Sequence, residues 1–160
     1  DVAWENDLTA FRAYGPALQE TGERAFGYDI WTKYNTTEPV VEARYEGELN
    51  PDMKAKITEL GKTDPKAAQE LYRSVSYHVD HGNGLDCYKV GPTLGGGTTA
   101  LMAGDTIIYP YCYATQEILD NGPLRFTVKL VYNPLVVKGD STIIETRIIT
   151  LDAGSYCNKT

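Results

Sequence analysis

Short strand-like runs constrain the fold of this chain most, because they recur along most of its length with turn residues between them. Seven segments are rich in β-branched and aromatic residues: residues 8–15, 25–34, 98–104, 105–113, 114–120, 123–132 and 141–154. Such runs with short connections favour an antiparallel sheet system. Asn121-Gly122 and Gly139-Asp140 lie at the boundaries of such runs and predict two hairpin turns. The sequence therefore predicts a mainly β, sandwich-like fold.

A different segment interrupts the strand-like runs. Residues 51–75 are rich in helix-forming residues, and Pro51 and Pro65 stand where proline is typical of a first helical turn. Gly61 is typical of a helix end. The pattern predicts a helical insert of two helices, residues 51–60 and 65–75.

Alternation along the late runs predicts which side chains face a core. One face of the run 123–132 is apolar and is predicted to be buried: Phe126, Val128, Leu130 and Tyr132. The opposite face carries Arg125 and Lys129, which suits either a cleft for an anionic ligand or a solvated outer surface. The run 141–154 has apolar residues on both faces and predicts a strand covered on both sides.

The charge balance limits the partners. Fifteen Lys and Arg residues are outnumbered by 22 Asp and Glu, which gives a formal charge of -7 and a pI near 4.8. This balance argues against binding to nucleic acid or to an anionic membrane. No apolar run approaches the roughly 20 residues that a membrane-spanning helix needs. The 160 residues predict one domain or part of one.

Tyrosine dominates the aromatic residues, with 12 tyrosines against three phenylalanines. A tyrosine ring suits a partly solvated surface such as a sugar-binding site, and it is equally typical of an ordinary strand position. Tyr109, Tyr111 and Tyr113 alternate, so they share one face if the strand is regular, although Pro110 favours an edge or a bulge. The row suits either a sugar-stacking surface or a cross-strand ladder.

Both histidines of the chain lie in the glycine-rich stretch 76–91. Histidine titrates near neutral pH, and a neighbouring carboxylate such as Asp80 or Asp86 would orient it as an acid or base. If residues 77–81 are extended, His78 and His81 point to opposite sides, which weakens a shared metal site. Three alternatives remain: an acid–base role, structural hydrogen bonding, or a metal site. The glycine segments lack the phosphate-binding and dinucleotide patterns and predict shaped loops at the edge of a site; no cofactor is predicted.

The three cysteines, Cys87, Cys112 and Cys157, are widely spaced and form no zinc-binding pattern. Two Asn-x-Thr patterns, at Asn35 and Asn158, fit the glycosylation acceptor sequence. Neither observation defines a function by itself.

Several longer pieces resemble one bacterial family. They are residues 4–18, 27–33, 77–97, 108–130 and 152–159. The family has long been labelled a domain of unknown function, occurs in polysaccharide-utilisation clusters and includes the ulvan oligosaccharide dehydratase. The resemblance covers most of the chain outside the helical insert.

This resemblance implies a galactose-mutarotase-like supersandwich, a periplasmic or secreted location, and action on oligosaccharides that contain unsaturated uronic acids. Members of the family are longer, so residues 1–160 are expected to be the first part of a domain that a missing C-terminal segment completes. Its odd cysteine fits a pairing partner in that segment. The expected partners are therefore an oligosaccharide substrate and the rest of the same domain, with no nucleic acid and no membrane span.

The implied reaction assigns hypothetical roles to several residues. His78 and His81, with Tyr109 or Tyr111, are candidates for the base and acid of a water elimination. Trp4 is a candidate for stacking on a sugar, and Asp80 for binding it. The candidates for holding the uronate carboxylate are Arg125, Lys129 and Arg147.

Two other functions fit the same sequence. A non-catalytic carbohydrate-binding module would use Trp4, Trp31 and the tyrosine row as its platform. A sugar epimerase or mutarotase would suit the same fold, because one scaffold hosts many chemistries.

Overall fold

The computed structural model describes residues 1–34 and 38–160, so the Asn35 acceptor pattern lies outside the described residues. Strand residues outnumber helical ones, 34% against 24%, and the named strands pair antiparallel, which confirms the prediction of a mainly β fold.

The described residues form ten strands and four short helices. The strands are β1 Val2–Glu5, β2 Thr9–Ala13, β3 Tyr28–Thr32, β4 Leu101–Ala103, β5 Thr106–Ile108, β6 Tyr113–Asn121, β7 Arg125–Tyr132, β8 Leu135–Val137, β9 Asp140–Ile143 and β10 Thr146–Asp152. The helices are α1 Pro16–Glu20, α2 Val41–Leu49, α3 Pro51–Thr63 and α4 Pro65–Val75.

Two three-stranded sheets build the core. The first sheet has the strand order β1-β2-β3 and the second β10-β7-β6, while β4-β5 and β8-β9 form two small ribbons. Side chains of the two larger sheets meet in one buried cluster, in which the Trp4 ring stacks on Phe11 at 6.0 Å and on Phe126 at 5.9 Å. These contacts join the start of the chain to the β6–β7 hairpin.

The alternation predicted for β7 is confirmed. Val128 and Leu130 are fully buried, Tyr132 is buried and Phe126 packs against the same cluster. Both predicted hairpins also form, between β6 and β7 and between β8 and β9. In the second hairpin the turn residues are Lys138 and Gly139, both with positive φ.

The run 141–154 differs from its prediction. It splits into β9 and β10, and within β10 Arg147, Ile149 and Leu151 are buried while Ile148 is 52% exposed. The prediction of a strand covered on both faces is therefore wrong. Ile148 pairs with Lys129 on a solvated face, so its apolar side chain did not indicate burial.

The run 105–113 is also interrupted. β5 ends at Ile108 and β6 begins at Tyr113, with Pro110 in the irregular part between them. Proline has no N–H to donate to a sheet ladder, which explains the break. Tyr113 is buried in the core while Tyr109 and Tyr111 are exposed, so the three tyrosines do not form one row.

Both predicted helices exist; α4 has the predicted bounds, and α3 ends three residues later than predicted. A third helix, α2, precedes them, so the helical segment begins at Val41 and not at residue 51. α3 continues past Gly61 to Thr63, because the helix stops where Asp64 precedes Pro65 and adopts a non-helical conformation. The Asn50 and Asp64 side chains cap α3 and α4 by accepting backbone N–H groups. Among residues 1–34 and 38–160, no helix is long and apolar enough to cross a membrane.

The first sheet has a second face, turned away from the core. We call this the outer face and the core side the inner face. On the outer face, Ala10 and Trp31 form a small buried cluster with Val40 and Val41, against which Tyr45 and Tyr77 pack. The charged residues Arg12 and Asp29 project from the same side of β2 and β3, because their positions alternate with the core residues Phe11 and Tyr28.

Candidate functional site

The stretch with both histidines, residues 76–91, packs along β3; we call it the histidine loop. The backbone N–H of Thr32 donates to the Leu85 carbonyl at 2.9 Å, and that of Cys87 donates to the Ile30 carbonyl at 3.1 Å. Gly84, at φ +88°, lies so close to β3 that a Cβ there would come within 1.8 Å of the Thr32 carbonyl oxygen. Glycine is needed because the loop backbone lies directly against the strand.

Residues 77–81 form turns and bends, so the extended conformation considered from sequence is wrong. Arg44 of α2 holds this part of the loop by donating to the Val79 carbonyl at 3.1 Å and to Asn83 and Gly84. Asp80 accepts from the Tyr34 hydroxyl at 2.7 Å and from the Gly82 N–H at 2.8 Å, and these hydrogen bonds lower the pKa of its carboxyl. The contacts of Asp80 therefore shape the loop.

The two histidines have different surroundings. The Nε2 of His81 lies 3.0 Å from the Ser76 carbonyl oxygen, and because a carbonyl only accepts, this nitrogen carries the proton. The Nδ1 of His78 lies 3.5 Å from Asp86 Oδ2. The His78 side chain is 47% exposed while that of Asp86 is only 3% exposed. His78 thus faces solvent with a buried carboxylate behind it.

Asp86 belongs to a cluster of charges under the loop. Its backbone pairs with Trp31 of β3, which brings its side chain to the outer face near Arg12 and Asp29. The Arg12 guanidinium donates to Asp29 at 2.6 Å, and the Tyr14 hydroxyl donates to the other oxygen of Asp29 at 2.8 Å. We call Arg12, Asp29 and Asp86 the charged cluster.

Burial perturbs both carboxyls of the charged cluster. Burial raises the pKa of Asp29 despite the attraction of Arg12. Burial, followed by repulsion from Asp29, raises the pKa of Asp86 to about 6. Two buried carboxylates share one buried arginine, so the cluster favours holding a proton.

Three buried polar atoms beside the cluster have no hydrogen-bond partner within the described part of the chain: Asp86 Oδ1, the Tyr45 hydroxyl and the Trp31 indole N–H. Each such atom costs on the order of 1–3 kcal/mol. Unpaired buried groups are rare in folded proteins and are typical of functional sites. Within the described residues, the other buried side-chain atoms without a partner are the two amide atoms of Gln19 in α1.

Aromatic rings wall the site. Trp31 lies 5.3 Å from Tyr45 and 5.0 Å from Tyr77, measured between ring centroids, and Tyr77 lies 4.6 Å from His78. Burial raises the pKa of both tyrosines, so their hydroxyls stay protonated at neutral pH. The site therefore combines an exposed imidazole, a buried carboxylate and protonated phenols.

Other predicted residues lie elsewhere. Trp4 is buried, and its indole N–H donates to Asn158 at 2.9 Å. Trp4 and Arg125 do come together, lining a cleft of about 720 Å³ between β1 and the β6–β7 hairpin. None of the other predicted site residues lines this cleft.

The three cations predicted to bind a carboxylate do not converge. Arg125 pairs with Asp120 at 2.9 Å, and Lys129 lies 3.5 Å from Glu117. Arg147 is buried on the opposite side of the second sheet, where it pairs with Glu145 and donates to Tyr28 and Thr98. The cation-bearing face of β7 is a solvated surface with paired charges.

Tyr109 and Tyr111 lie beside the segment that leads into β3. The Tyr109 ring stacks on Phe26 at 5.1 Å, and the Arg24 guanidinium lies 4.8 Å from the centre of the Tyr111 ring. The predicted site residues thus divide among the histidine loop, the cleft beside β1, the outer surface of β7, the sheet interior and this aromatic surface.

Sequence reasoning missed Arg12, Asp29 and Tyr45. The available signal was one charged residue in each of two neighbouring apolar runs, "TAFRA" and "YDIWT". The register places Arg12 opposite Asp29, so both charges fall on one face. Tyr45 had no such signal, because it reaches the site from a helix that the sequence did not predict.

The described residues contain no group of three or more His, Cys, Asp or Glu that could hold a metal ion. Cys87 and Cys157 are exposed free thiols, and Cys112 is a buried one.

The chain is thus an antiparallel β protein in which an exposed histidine lies next to a buried carboxylate. The whole chain, residues 1–160, matches the family described as "Domain of unknown function (DUF4861)", and it belongs to that family. It is 28% identical over 162 residues to "Uncharacterized protein P7" of Formosa agariphila. The match covers 97% of this chain and 35% of that relative, so the chain spans about a third of the relative's length. No solved structure matches the chain.

Proposed function

We propose that this protein acts as a carbon–oxygen lyase that eliminates water from an unsaturated uronyl residue of an oligosaccharide. The observation that carries the proposal is the solvent-facing His78 with Asp86 buried behind it. The substrate class comes from the sequence resemblance to the family that includes the ulvan oligosaccharide dehydratase. The proposal includes a periplasmic or secreted location, where such oligosaccharides are met.

Elimination of water requires two proton transfers. A C–H bond of the sugar ring breaks and its proton goes to a base, while the neighbouring C–O bond breaks and the departing hydroxyl takes a proton from an acid. The electron pair of the C–H bond becomes the new C=C bond. No oxidant or reductant is consumed.

His78 suits the role of the base. Asp86 Oδ2 lies 3.5 Å from Nδ1, and a carboxylate on this side favours the tautomer whose Nε2 lone pair points away from it. The buried carboxylate also stabilises the imidazolium that forms when the proton arrives. The 3.5 Å separation is long for a hydrogen bond, as is common in unliganded catalytic pairs.

Tyr77 suits the role of the acid. Its ring contacts that of His78, and burial raises the pKa of its hydroxyl, so the proton is present at neutral pH. Tyr109 and Tyr111, the tyrosines favoured by the sequence, have their ring contacts with Phe26 and Arg24 instead. His81 and Asp80 act in the proposal as supports of the loop.

The test uses the protein expressed over its full reading frame and a mixture of unsaturated uronate oligosaccharides. Mass spectrometry follows the sugars for a loss of about one water, ~18 Da, the signature of acid–base elimination. We expect the loss with the unaltered protein and not with His78→Ala. Sugars of unchanged mass, or full turnover by a folded His78→Ala variant, would contradict the proposal.

A second candidate function is sugar binding without catalysis, favoured by the exposed Tyr109 ring that stacks on the half-buried Phe26. It predicts saturable binding with no change in sugar mass, weakened by Tyr109→Ala and indifferent to His78→Ala. An epimerase would likewise leave the mass unchanged but would alter the stereochemistry of the recovered sugar, which nuclear magnetic resonance detects.

A further inference from the structure

We infer that Arg24, Phe26, Tyr109 and Tyr111 form a subsite for the carboxylate-bearing ring of a uronic acid residue. We call these four residues the aromatic subsite. The substrate class in this inference rests on the proposed function. The inference adds the location of the subsite and the cation Arg24, neither of which the sequence predicted.

The geometry provides two exposed aromatic surfaces side by side in the chain. Tyr109 is 39% exposed and Tyr111 is 42% exposed, so part of each ring is open to solvent. Phe26 supports Tyr109 from one side at 5.1 Å with an interplanar angle of 28°. The apolar C–H face of a sugar ring stacks on such a surface, and the phenol hydroxyls remain available for hydrogen bonds.

Arg24 supplies the charge. Its guanidinium lies 4.8 Å from the centre of the Tyr111 ring, which holds it beside the aromatic surface. A guanidinium placed in this way presents a planar edge that a carboxylate meets with two hydrogen bonds. Within the described part of the chain, Arg24 forms no ion pair, so its charge is not neutralised by a neighbour.

The cations first considered for this role are all engaged. Arg125, Lys129 and Arg147 each have a carboxylate partner, and the last is buried. A ligand carboxylate would have to displace that partner or enter the core to reach them. Arg24 is exposed and requires neither.

The aromatic subsite is joined to the catalytic pair by one continuous segment. The histidine loop carries Asp86 and leads to Gly95, whose backbone pairs with Tyr28. Gly27, the residue between Phe26 and Tyr28, lies against the same segment so closely that a Cβ there would come within 2.3 Å of the Leu94 carbonyl oxygen. These close contacts hold the end of the segment against the residues that follow Phe26.

The test measures equilibrium binding by titration calorimetry with two probes: a 4,5-unsaturated uronyl disaccharide and the methyl ester of the same sugar. We expect Arg24→Gln to weaken binding of the acid by about ten-fold or more, the worth of a charge-assisted hydrogen-bonded pair. Binding of the ester should change by less than about two-fold, because the ester has no negative charge to lose. Tyr109→Ala should weaken both probes alike, since stacking does not depend on the charge.

Arg125→Gln is the matched control, because it removes an exposed arginine that already pairs with Asp120. It should leave the binding of both probes unchanged. Failure of the unaltered protein to bind the acid, equal weakening of acid and ester in Arg24→Gln, or equal effects of Arg24→Gln and Arg125→Gln would each overturn the inference. The mass of the recovered acid shows separately whether it was dehydrated, so a failed subsite is distinguished from a failed reaction.

Discussion

The two faces of the first sheet are built from the same three strands and are chemically opposite. The inner face contributes Trp4, Phe11 and Tyr28 to the core shared with the second sheet. The outer face places Arg12 and Asp29 under a helix and the histidine loop, beside polar atoms that lack partners among residues 1–34 and 38–160. Apolar burial stabilises the inner face, whereas the outer face combines an apolar cluster with buried charges that are held at a cost.

This difference indicates that the function of the protein lies on the outer face. A buried ion pair is weak support for stability, because removing two charges from water costs about as much as their attraction returns. A face that keeps such charges beside unpaired donors and acceptors is better explained by what it does than by what it stabilises. The exposed His78 lies on this face and not on the inner one.

The largest effect is expected from breaking the buried ion pair on the outer face. Asp29→Asn leaves the Arg12 guanidinium buried without its anion, and should lower the free energy of unfolding by about 3–5 kcal/mol. Urea denaturation measures the change. The double variant Arg12→Met, Asp29→Leu should recover most of the loss, because both members of the ion pair are then replaced by apolar side chains. If Asp29→Asn lowers the free energy of unfolding by less than about 1 kcal/mol, the Arg12–Asp29 pair behaves like a solvent-exposed ion pair, which contradicts its described burial.

The core that the inner face shares with the second sheet should respond through its packing. Leu130 is fully buried, so Leu130→Ala should cost about 2–5 kcal/mol through lost contacts and a remaining cavity. Leu124→Ala makes the same chemical change at a residue that is 77% exposed in the hairpin turn, and it should change stability by no more than about 0.5 kcal/mol. Equal effects at the two leucines would contradict the described core.

The charged cluster predicts a pH dependence of stability. The pKa of Asp86 is raised to about 6 by burial, so the folded protein holds this proton where the unfolded chain, with a pKa of about 3.9, releases it. The stability that depends on this proton is fully present below about pH 3.9 and is lost as the pH rises through about 6. The titratable and charged side chains that interact with this group include Asp29, His78 and Arg12.

Asp86→Asn should therefore gain stability relative to the unaltered protein between pH 4 and pH 7, as measured by urea denaturation at both values. Asp80→Asn is the control, because hydrogen bonds lower the pKa of Asp80 and the sign reverses. The stability that Asp80 contributes is present at neutral pH and is lost on acidification through its lowered pKa. The same pH trend in both variants would show that the shift does not come from burial of Asp86.

The smallest effect is expected on the solvated surface of β7. Lys129 and Glu117 lie 3.5 Å apart across neighbouring strands, with the lysine 39% and the glutamate 64% exposed. Lys129→Met should change stability by less than about 1 kcal/mol, because water and salt screen such a pair. A loss comparable to that of Asp29→Asn would remove the distinction between the solvated and the buried charges.

The contribution of the second sheet to the core was largely predictable from sequence, because it depends on local alternation. The alternation within one strand predicts that four apolar residues share the buried side: Phe126, Val128, Leu130 and Tyr132. Pro51 and Pro65 predict the starts of two helices. Ile148 was misjudged because an apolar side chain on a strand does not reveal whether another layer covers it.

The candidate site was predictable only in part. Clustering of the two histidines pointed to the right loop, but their separate roles depend on the fold of that loop. His78 meets Asp86 because residues 85–87 pair with β3, and Arg12 meets Asp29 because of a strand register. Contacts between residues far apart in the chain leave no periodic trace in the sequence.

The most direct test of whether His78 is the catalytic base compares His78→Gln with His81→Gln, which make the same chemical change in one loop. We expect His78→Gln to slow dehydration of an unsaturated uronyl oligosaccharide by about 10²–10⁴-fold with little change in stability. We expect His81→Gln to keep turnover within a few-fold and to lower the free energy of unfolding by about 1 kcal/mol, the contribution of one hydrogen bond. Full turnover by His78→Gln, or equal loss of turnover in the two variants, would contradict the assignment of His78 as the base.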